Sequence, residues 1–282
     1  MAVSTNISEP STKRSDYSSV TEVPGLRAHR GQLSAIHTRY HFAAQFCEGK
    51  DVLEVACGAG FGLGYLARTA RRVVGGDIDE NNLTYARRAC EDIDNVEVLR
   101  LDAEELPLDD DTFDTLLICE AIYYLPDVER FFAECRRVLR PGGRLVVVTV
   151  NCQWEGFNRS PHSTYYLPLD ELERRLRSAG FAPESWLGFR SEKRSLPRKT
   201  IGWLRRLAVK LRLIPRTMHG KQWLKRLVFG KLAAIQPTLT PESAPLEPLH
   251  EADSVADALS DFAVIYAVGQ LYFDTETLRN ES

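Results

Sequence analysis

Val52-Leu53-Glu54-Val55-Ala56-Cys57-Gly58-Ala59-Gly60-Phe61-Gly62 is the stretch that decides the fold. An apolar run holding one acid, Glu54, gives way to three glycines spaced two apart, and a helix-compatible pattern follows. That order reads as strand, tight elbow, helix. Glycine reaches positive φ and lets a ligand approach backbone where any Cβ would collide. The helix beyond offers unpaired N–H groups at its start. A dinucleotide fingerprint places its glycines similarly, so the elbow by itself leaves the ligand open.

Outward from the elbow, strand-like and helix-like stretches alternate. Asp51 to Ala56 is expected to be a buried strand and Gly62 to Ala70 a helix, and Arg72 to Asp77 with Glu80 to Ile93 repeats the pair. Val96 to Leu101 and Phe113 to Cys119 are the third and fourth strands. Val128 to Leu139 is a helix stopped by Pro141-Gly142-Gly143. The valine run within Arg144 to Val150 reads as a fifth strand buried on both faces. Leu169 to Ala179 is a helix ended by Gly180, Ser185 to Arg190 a sixth strand, and Phe262 to Val268 the last. Ahead of the elbow, Gln32 to Phe46 has helical spacing, with Leu33, Ile36, Tyr40, Ala43 and Ala44 on one side. The class is therefore α/β, a doubly wound and mainly parallel sheet covered on both faces.

The 282 residues, 44% of them hydrophobic, suffice for one large domain with an insertion. No apolar run approaches the ~18 residues that span a bilayer. Met1 to Glu22 is polar and lacks the apolar stretch of a secretory signal. Residues 1–24 are expected to be a disordered leader, 25–48 a helical lid, 49–190 the core, 191–258 a basic helical cap and 259–275 the closing strand. Six cysteines form no C-x-x-C pair and six histidines no ligand-spaced cluster. No disulfide scaffold and no metal site is expected, and a reduced, cytoplasmic setting is. Charge is unevenly spread: from Arg190 to Lys231 there are 14 lysines and arginines against one acid, Glu192.

Acids recur where strands end. Asp77 closes the second strand, where a carboxylate can accept both hydroxyls of a ribose. Asp102 and Ala103 follow the third, within reach of an adenine amino group, and Cys119-Glu120-Ala121 follows the fourth. Open α/β sheets bind ligands at this edge. Several carboxylates without a phosphate clamp suit S-adenosylmethionine, with its sulfonium and ammonium charges, better than a pyrophosphate cofactor.

Taken together, Glu54 to Gly62, Gly76-Asp77-Ile78-Asp79, Asp102 to Pro107, Phe113-Asp114 through Asp127, Arg136 to Gly143 and Leu169 to Phe181 resemble the class I S-adenosylmethionine-dependent methyltransferases, in particular their UbiE-like group. The resemblance implies a seven-stranded sheet, order 3-2-1-4-5-7-6, with only the last strand antiparallel. It further implies that Gly58, Ala59 and Gly60 underlie the methionine part of the cofactor and that Glu54 orients its ammonium. Asp77 with Ile78 would hold the ribose, with Asp79 able to share that role, and Asp102 with Ala103 the adenine. Cys119 and Glu120 would lie nearby.

His162, in a loop after the fifth strand, is the candidate to take a proton from an acceptor hydroxyl. His37 and Tyr40 on the N-terminal helix, with Tyr123 and Tyr124, are candidates to line the acceptor pocket. The expected activity is methyl transfer to a small-molecule hydroxyl oxygen, with a sugar or glycan-linked metabolite slightly favoured. The alternatives are C-methylation of a quinone- or polyketide-like acceptor, or cofactor binding without catalysis. The basic insertion reads as a cap over the site or as a contact for anionic membrane or a phosphorylated acceptor. No nucleic acid is expected, since the basic stretch carries no recognisable binding module.

Overall fold

The computed structural model describes residues 21–160, 162–191 and 232–272. In chain order the first elements are β1 (Arg27–His29), α1 (Arg30–Ala44), β2 (Asp51–Val55), α2 (Leu63–Leu66), β3 (Arg72–Asp77), α3 (Glu80–Ala89) and β4 (Val96–Arg100). Then come β5 (Phe113–Cys119), a single 3-10 turn at Ile122–Tyr124, α4 (Val128–Val138), β6 (Leu139–Val150), α5 (Leu169–Ser178) and β7 (Phe181–Arg190). After the basic stretch follow β8 (Leu232–Ala234), β9 (His250–Glu251), 3-10 turns over Ala252–Asp261, and β10 (Phe262–Leu271).

The main sheet runs β4-β3-β2-β5-β6-β10-β7-β9. From β4 across to β6 the adjacent strands are parallel to one another, and β10 is antiparallel to both β6 and β7. This is the expected seven-strand order, extended by the two-residue β9 at the edge. A second, two-stranded sheet pairs β1 with β8. Apolar residues alternate faithfully between the two faces. Leu116 and Ile118 of β5 join one core layer with Phe131 and Phe132 of α4, while Leu117 and Cys119 join the other with Leu63 and Leu83. Far from the glycine elbow, Arg140 bridges Asp51 and Asp114 at 3.0 Å each, tying β2, β5 and β6 together.

Helix α1 is buried on more sides than its spacing predicts: Ser34, Ile36, His37, Thr38, Tyr40, Phe42 and Ala43 are all buried. The cause lies two hundred residues away. The proline-rich return segment lies along the helix, where Ser34 Oγ donates to the Pro245 carbonyl at 2.5 Å and the Glu247 N–H to Thr38 Oγ1 at 3.1 Å. The cap expected over 191–258 is thus not helical throughout. Its residues 232–258 supply β8, this extended strap, β9 and 3-10 turns, because the prolines between Gln236 and His250 suit extended chain. The expected helices of residues 192–231 lie outside the described residues, as does the leader up to residue 20.

Candidate active site

In this strand order the chain runs outward from β2 to β3 and β4, then returns to place β5 on β2's other side. That reversal opens a crevice beyond the carboxyl ends of β2 and β5, where such sheets take their ligands. A cavity of about 570 Å³ lies there. Two non-glycine residues at its floor hold left-handed backbone: Ala56 after β2, with φ of 52°, and Glu120 after β5, with φ of 54°. Such conformations cost of order 1–3 kcal/mol each and persist where the surrounding structure imposes them.

The elbow is drawn onto the sheet by Asp77. Its Oδ2 accepts the Gly58 N–H at 2.8 Å, and its Oδ1 accepts the Asp79 N–H at 2.8 Å and Asn82 Nδ2 at 3.4 Å. Burial raises the Asp77 pKa, against the N–H groups of Asp79 and Gly58 that favour the charged form. Gly58 and Gly60 both adopt positive φ, 56° and 76°. Their reasons differ. Gly58 lines the cavity, whereas a Cβ on Gly60 would meet Ala86 Cβ at 2.8 Å. Gly60 therefore serves the approach of α3 to the elbow, and it is not among the lining residues.

Glu54 also sits below the cavity rather than in its wall. It is buried, its Oε1 accepts the Tyr40 hydroxyl at 2.7 Å, and its Oε2 has no hydrogen-bond partner. Burial, with Asp77 adding to it and Tyr40 and Arg39 opposing it, pushes the Glu54 carboxyl up to about 7. Asp79 caps α3 by accepting the Asn81 N–H, and it is not among the lining residues.

Ala59, Ile78, Asp102, Ala103, Cys119 and Glu120 line the cavity, as do Tyr40, Tyr123 and Tyr124. Asp102 Oδ1 also accepts the Glu104 N–H at 2.9 Å, so it shapes its own turn. Glu120 is half-buried and its Oε2 accepts the Tyr123 hydroxyl at 3.2 Å. Burial raises its pKa against the pull of the Arg39 charge.

Two expected side chains lie elsewhere. His37 is buried, but its Nδ1 lies 2.6 Å from the Ala244 carbonyl, so it turns to the return strap and not to the cavity. His162 is exposed and is not among the lining residues. Its loop is pinned to the outside of the tyrosine wall, where Thr164 Oγ1 donates to the carbonyls of Tyr123 and Leu125 at 3.1 and 2.8 Å. In their place stand residues that the sequence reading passed over. Arg39 on α1 lines the cavity and donates through Nη2 to Glu22 Oε2 at 3.3 Å. Glu22 and Thr21, within the expected leader of residues 1–24, line it too, and Thr21 Oγ1 accepts from Asn82 at 3.2 Å. Burial works against the Arg39 charge, yet Glu22 and Glu120 outweigh it and hold the guanidinium protonated.

Among the described residues the lining carries five acids (Glu22, Asp77, Asp102, Glu104, Glu120) against one cation, Arg39. With the unpartnered oxygen of Glu54 beside it, this acid-rich lining fits a cationic adenosyl ligand better than a pyrophosphate. Residues 53–147 match the family described as methyltransferase domain, a span running from β2 into β6 and holding every strand-end acid named above. Residues 53–147 are a methyltransferase domain.

The chain is 36% identical over 170 residues to a protein of Mycolicibacterium smegmatis described as a probable S-adenosylmethionine-dependent methyltransferase. That match covers 59% of this chain and 65% of the relative. A fatty-acid O-methyltransferase of the same species is 43% identical over 98 residues, 34% of this chain and 35% of that protein. The chain thus spans less than two-thirds of each of these relatives. A solved S-adenosylmethionine-dependent methyltransferase from Archaeoglobus fulgidus superposes with a TM-score of 0.53 over 86% of this chain and 94% of its own, at 15% identity, which speaks for the fold. Among the described residues, no helix is long and apolar enough to cross a membrane, and no group of three metal-ligating side chains converges.

Proposed function

We propose that this chain transfers a methyl group from S-adenosylmethionine to an oxygen atom of a small-molecule acceptor. The observation that supports it most is the row of strand-end carboxylates, Asp77 and Asp102, above the unpartnered Oε2 of Glu54. In this reading Asp77 accepts from the ribose hydroxyls, Asp102 and the Ala103 backbone hold the adenine, and Glu54 offers its free oxygen to the ammonium. Bound there, S-adenosylmethionine supplies an electrophilic methyl group. The chain's task is then orientation, which can lower a barrier by about 7–11 kcal/mol.

Glu120 is the proton acceptor for a hydroxyl acceptor. It stands at the carboxyl end of β5, beside the strand reversal, and the Tyr123 hydroxyl fixes one of its oxygens. Of the other acids in the wall, Glu104 Oε1 accepts the Asp127 N–H at 2.6 Å and Glu22 pairs with Arg39. A base of this kind is worth ~10²–10⁴-fold. Ile36, Tyr123, Leu125 and Pro126 give the wall an apolar stretch. It favours an acceptor with an apolar body over the sugar or glycan-linked metabolite first expected, in keeping with the relative named as a fatty-acid O-methyltransferase.

Incubation of the full chain with methyl-labelled S-adenosylmethionine and separate apolar and polar metabolite extracts tests the reading. Label recovered as a methyl ether or ester supports it, and Glu120→Gln should suppress ether formation. Label fixed on carbon would favour the quinone- or polyketide-type alternative, and cofactor binding without any transfer would overturn the catalytic reading. For the basic stretch we propose contact with anionic membrane or a phosphorylated acceptor, to be read from salt-sensitive cosedimentation with anionic vesicles.

A further inference from the structure

Arg39 poses a question that cofactor binding leaves unanswered. A guanidinium with 12% of its side chain exposed is costly to bury without partners, and everything charged around it in the cavity wall is acidic. The ribose and adenine ends of the site call for acceptors, which Asp77 and Asp102 provide. A donor fork serves neither. Arg39 is engaged by Glu22 through one nitrogen, Nη2, at 3.3 Å, whereas a guanidinium binds a carboxylate best through two parallel N–H groups.

Glu22 is a loosely held partner. Its side chain is 39% exposed, and it arrives on the short extended segment that precedes the turn at Pro24-Gly25. Exchange for another carboxylate keeps the largely buried guanidinium paired, so it costs little. The exchange also leaves the charge of the cavity unchanged. Arg39 and Glu120 line the same cavity, so a ligand held at Arg39 shares it with the proposed proton acceptor. The apolar residues next along the helix face, Ala35 and Ile36, lie in the same wall and suit the hydrocarbon part of an amphiphilic molecule.

We infer that the acceptor carries a carboxylate, and that Arg39 binds it in exchange for the carboxylate of Glu22. The inference rests on the reading that this cavity holds cofactor and acceptor together. Glu22 occupies in the ligand-free chain the place the acceptor's anionic group takes in the complex. Arg39 is then the residue that selects acids over neutral molecules of the same length, and Glu22 sets how tightly they bind.

Calorimetry on the full chain saturated with S-adenosylhomocysteine tests this, with dodecanoate as probe and dodecanol as its neutral counterpart. Dodecanoate should bind more tightly than dodecanol. Arg39→Gln should weaken dodecanoate about tenfold or more, and Glu22→Gln should tighten it several-fold, with dodecanol changing little in either. Equal binding of the two probes, or dodecanoate affinity indifferent to both substitutions, overturns the inference. Glu22 is only half-buried, so its variant keeps the test available should Arg39→Gln fail to fold. The S-adenosylhomocysteine titration itself reports the cofactor reading. Its failure alongside Arg39-dependent dodecanoate binding would separate the two claims.

Discussion

The hydroxyl of Tyr40 donates to Glu54 Oε1 at 2.7 Å, joining the N-terminal helix to the first core strand directly below the cavity. Tyr40 is also what the elbow is shaped around, since a Cβ on Gly62 would fall 1.7 Å from its ring. Tyr40→Phe should therefore cost about 1–3 kcal/mol in a denaturant melt, the penalty for leaving a buried carboxyl oxygen unpartnered. An unchanged midpoint would mean that the hydroxyl contributes nothing to the fold.

The pH dependence has a definite sign. The Glu54 carboxyl is pushed from its ordinary 4.5 up to about 7, so between those values the folded chain binds a proton that the unfolded chain does not. That proton's stabilisation is full below 4.5 and is lost as pH rises through about 7. A cationic ammonium at Glu54 favours the charged form and reverses the preference. S-adenosylhomocysteine affinity should accordingly rise several-fold through this window, with proton release visible in buffers of different ionisation enthalpy. Glu54→Gln should flatten the profile.

Asp77→Asn should weaken S-adenosylhomocysteine binding by about 1.5–3 kcal/mol, the value of hydrogen bonds to a charged group. Part of that loss comes through the backbone, because the same carboxylate accepts the Gly58 and Asp79 N–H groups. Calorimetric affinity indistinguishable from the parent protein would remove the ribose assignment.

Gly60→Ala should destabilise by about 1–3 kcal/mol, since the new methyl must displace α3 at Ala86 and the backbone is held at φ of 76°. Thermal unfolding at the parent temperature would show that the contact relaxes freely.

His162→Ala should leave turnover near that of the parent, because the ring is exposed and outside the cavity wall. A hundredfold fall with cofactor affinity intact would restore it as the base.

Strands were legible wherever an apolar run met charged or glycine boundaries: Arg72–Asp77 and Phe113–Cys119 run as the sequence reading expects, residue for residue. Other ends shifted for identifiable reasons. Helix α2 is four residues long, in a stretch interrupted by Gly62 and Gly64. Pro141-Gly142-Gly143 does not precede β6 but forms a bulge within it, where pairing passes from Leu139 to Arg144. The acids of the site were readable because a strand's end fixes where its next residue points.

Arg39 was not readable. Apolar spacing in α1 suggested the stripe Leu33, Ile36, Tyr40, Ala43 and Ala44, while the cavity takes Gln32, Ala35, Ile36, Arg39 and Tyr40, a face that shares two residues with it and is turned by about 60°. That rotation brings Arg39 in and His37 out. It is set by the return strap, whose contact with α1 no local pattern announces.

The placement of β10 between β6 and β7 has a consequence for how the protein is made. On a ribosome, β7 leaves the exit tunnel about seventy residues before its only bridge to the growing sheet, and must wait unpaired beside the open edge of β6. Such an edge invites pairing with foreign strands. Slow translation across the basic stretch would prolong this vulnerable interval, so yield of native enzyme should respond to chaperone supply during synthesis more than to the stability of the finished fold.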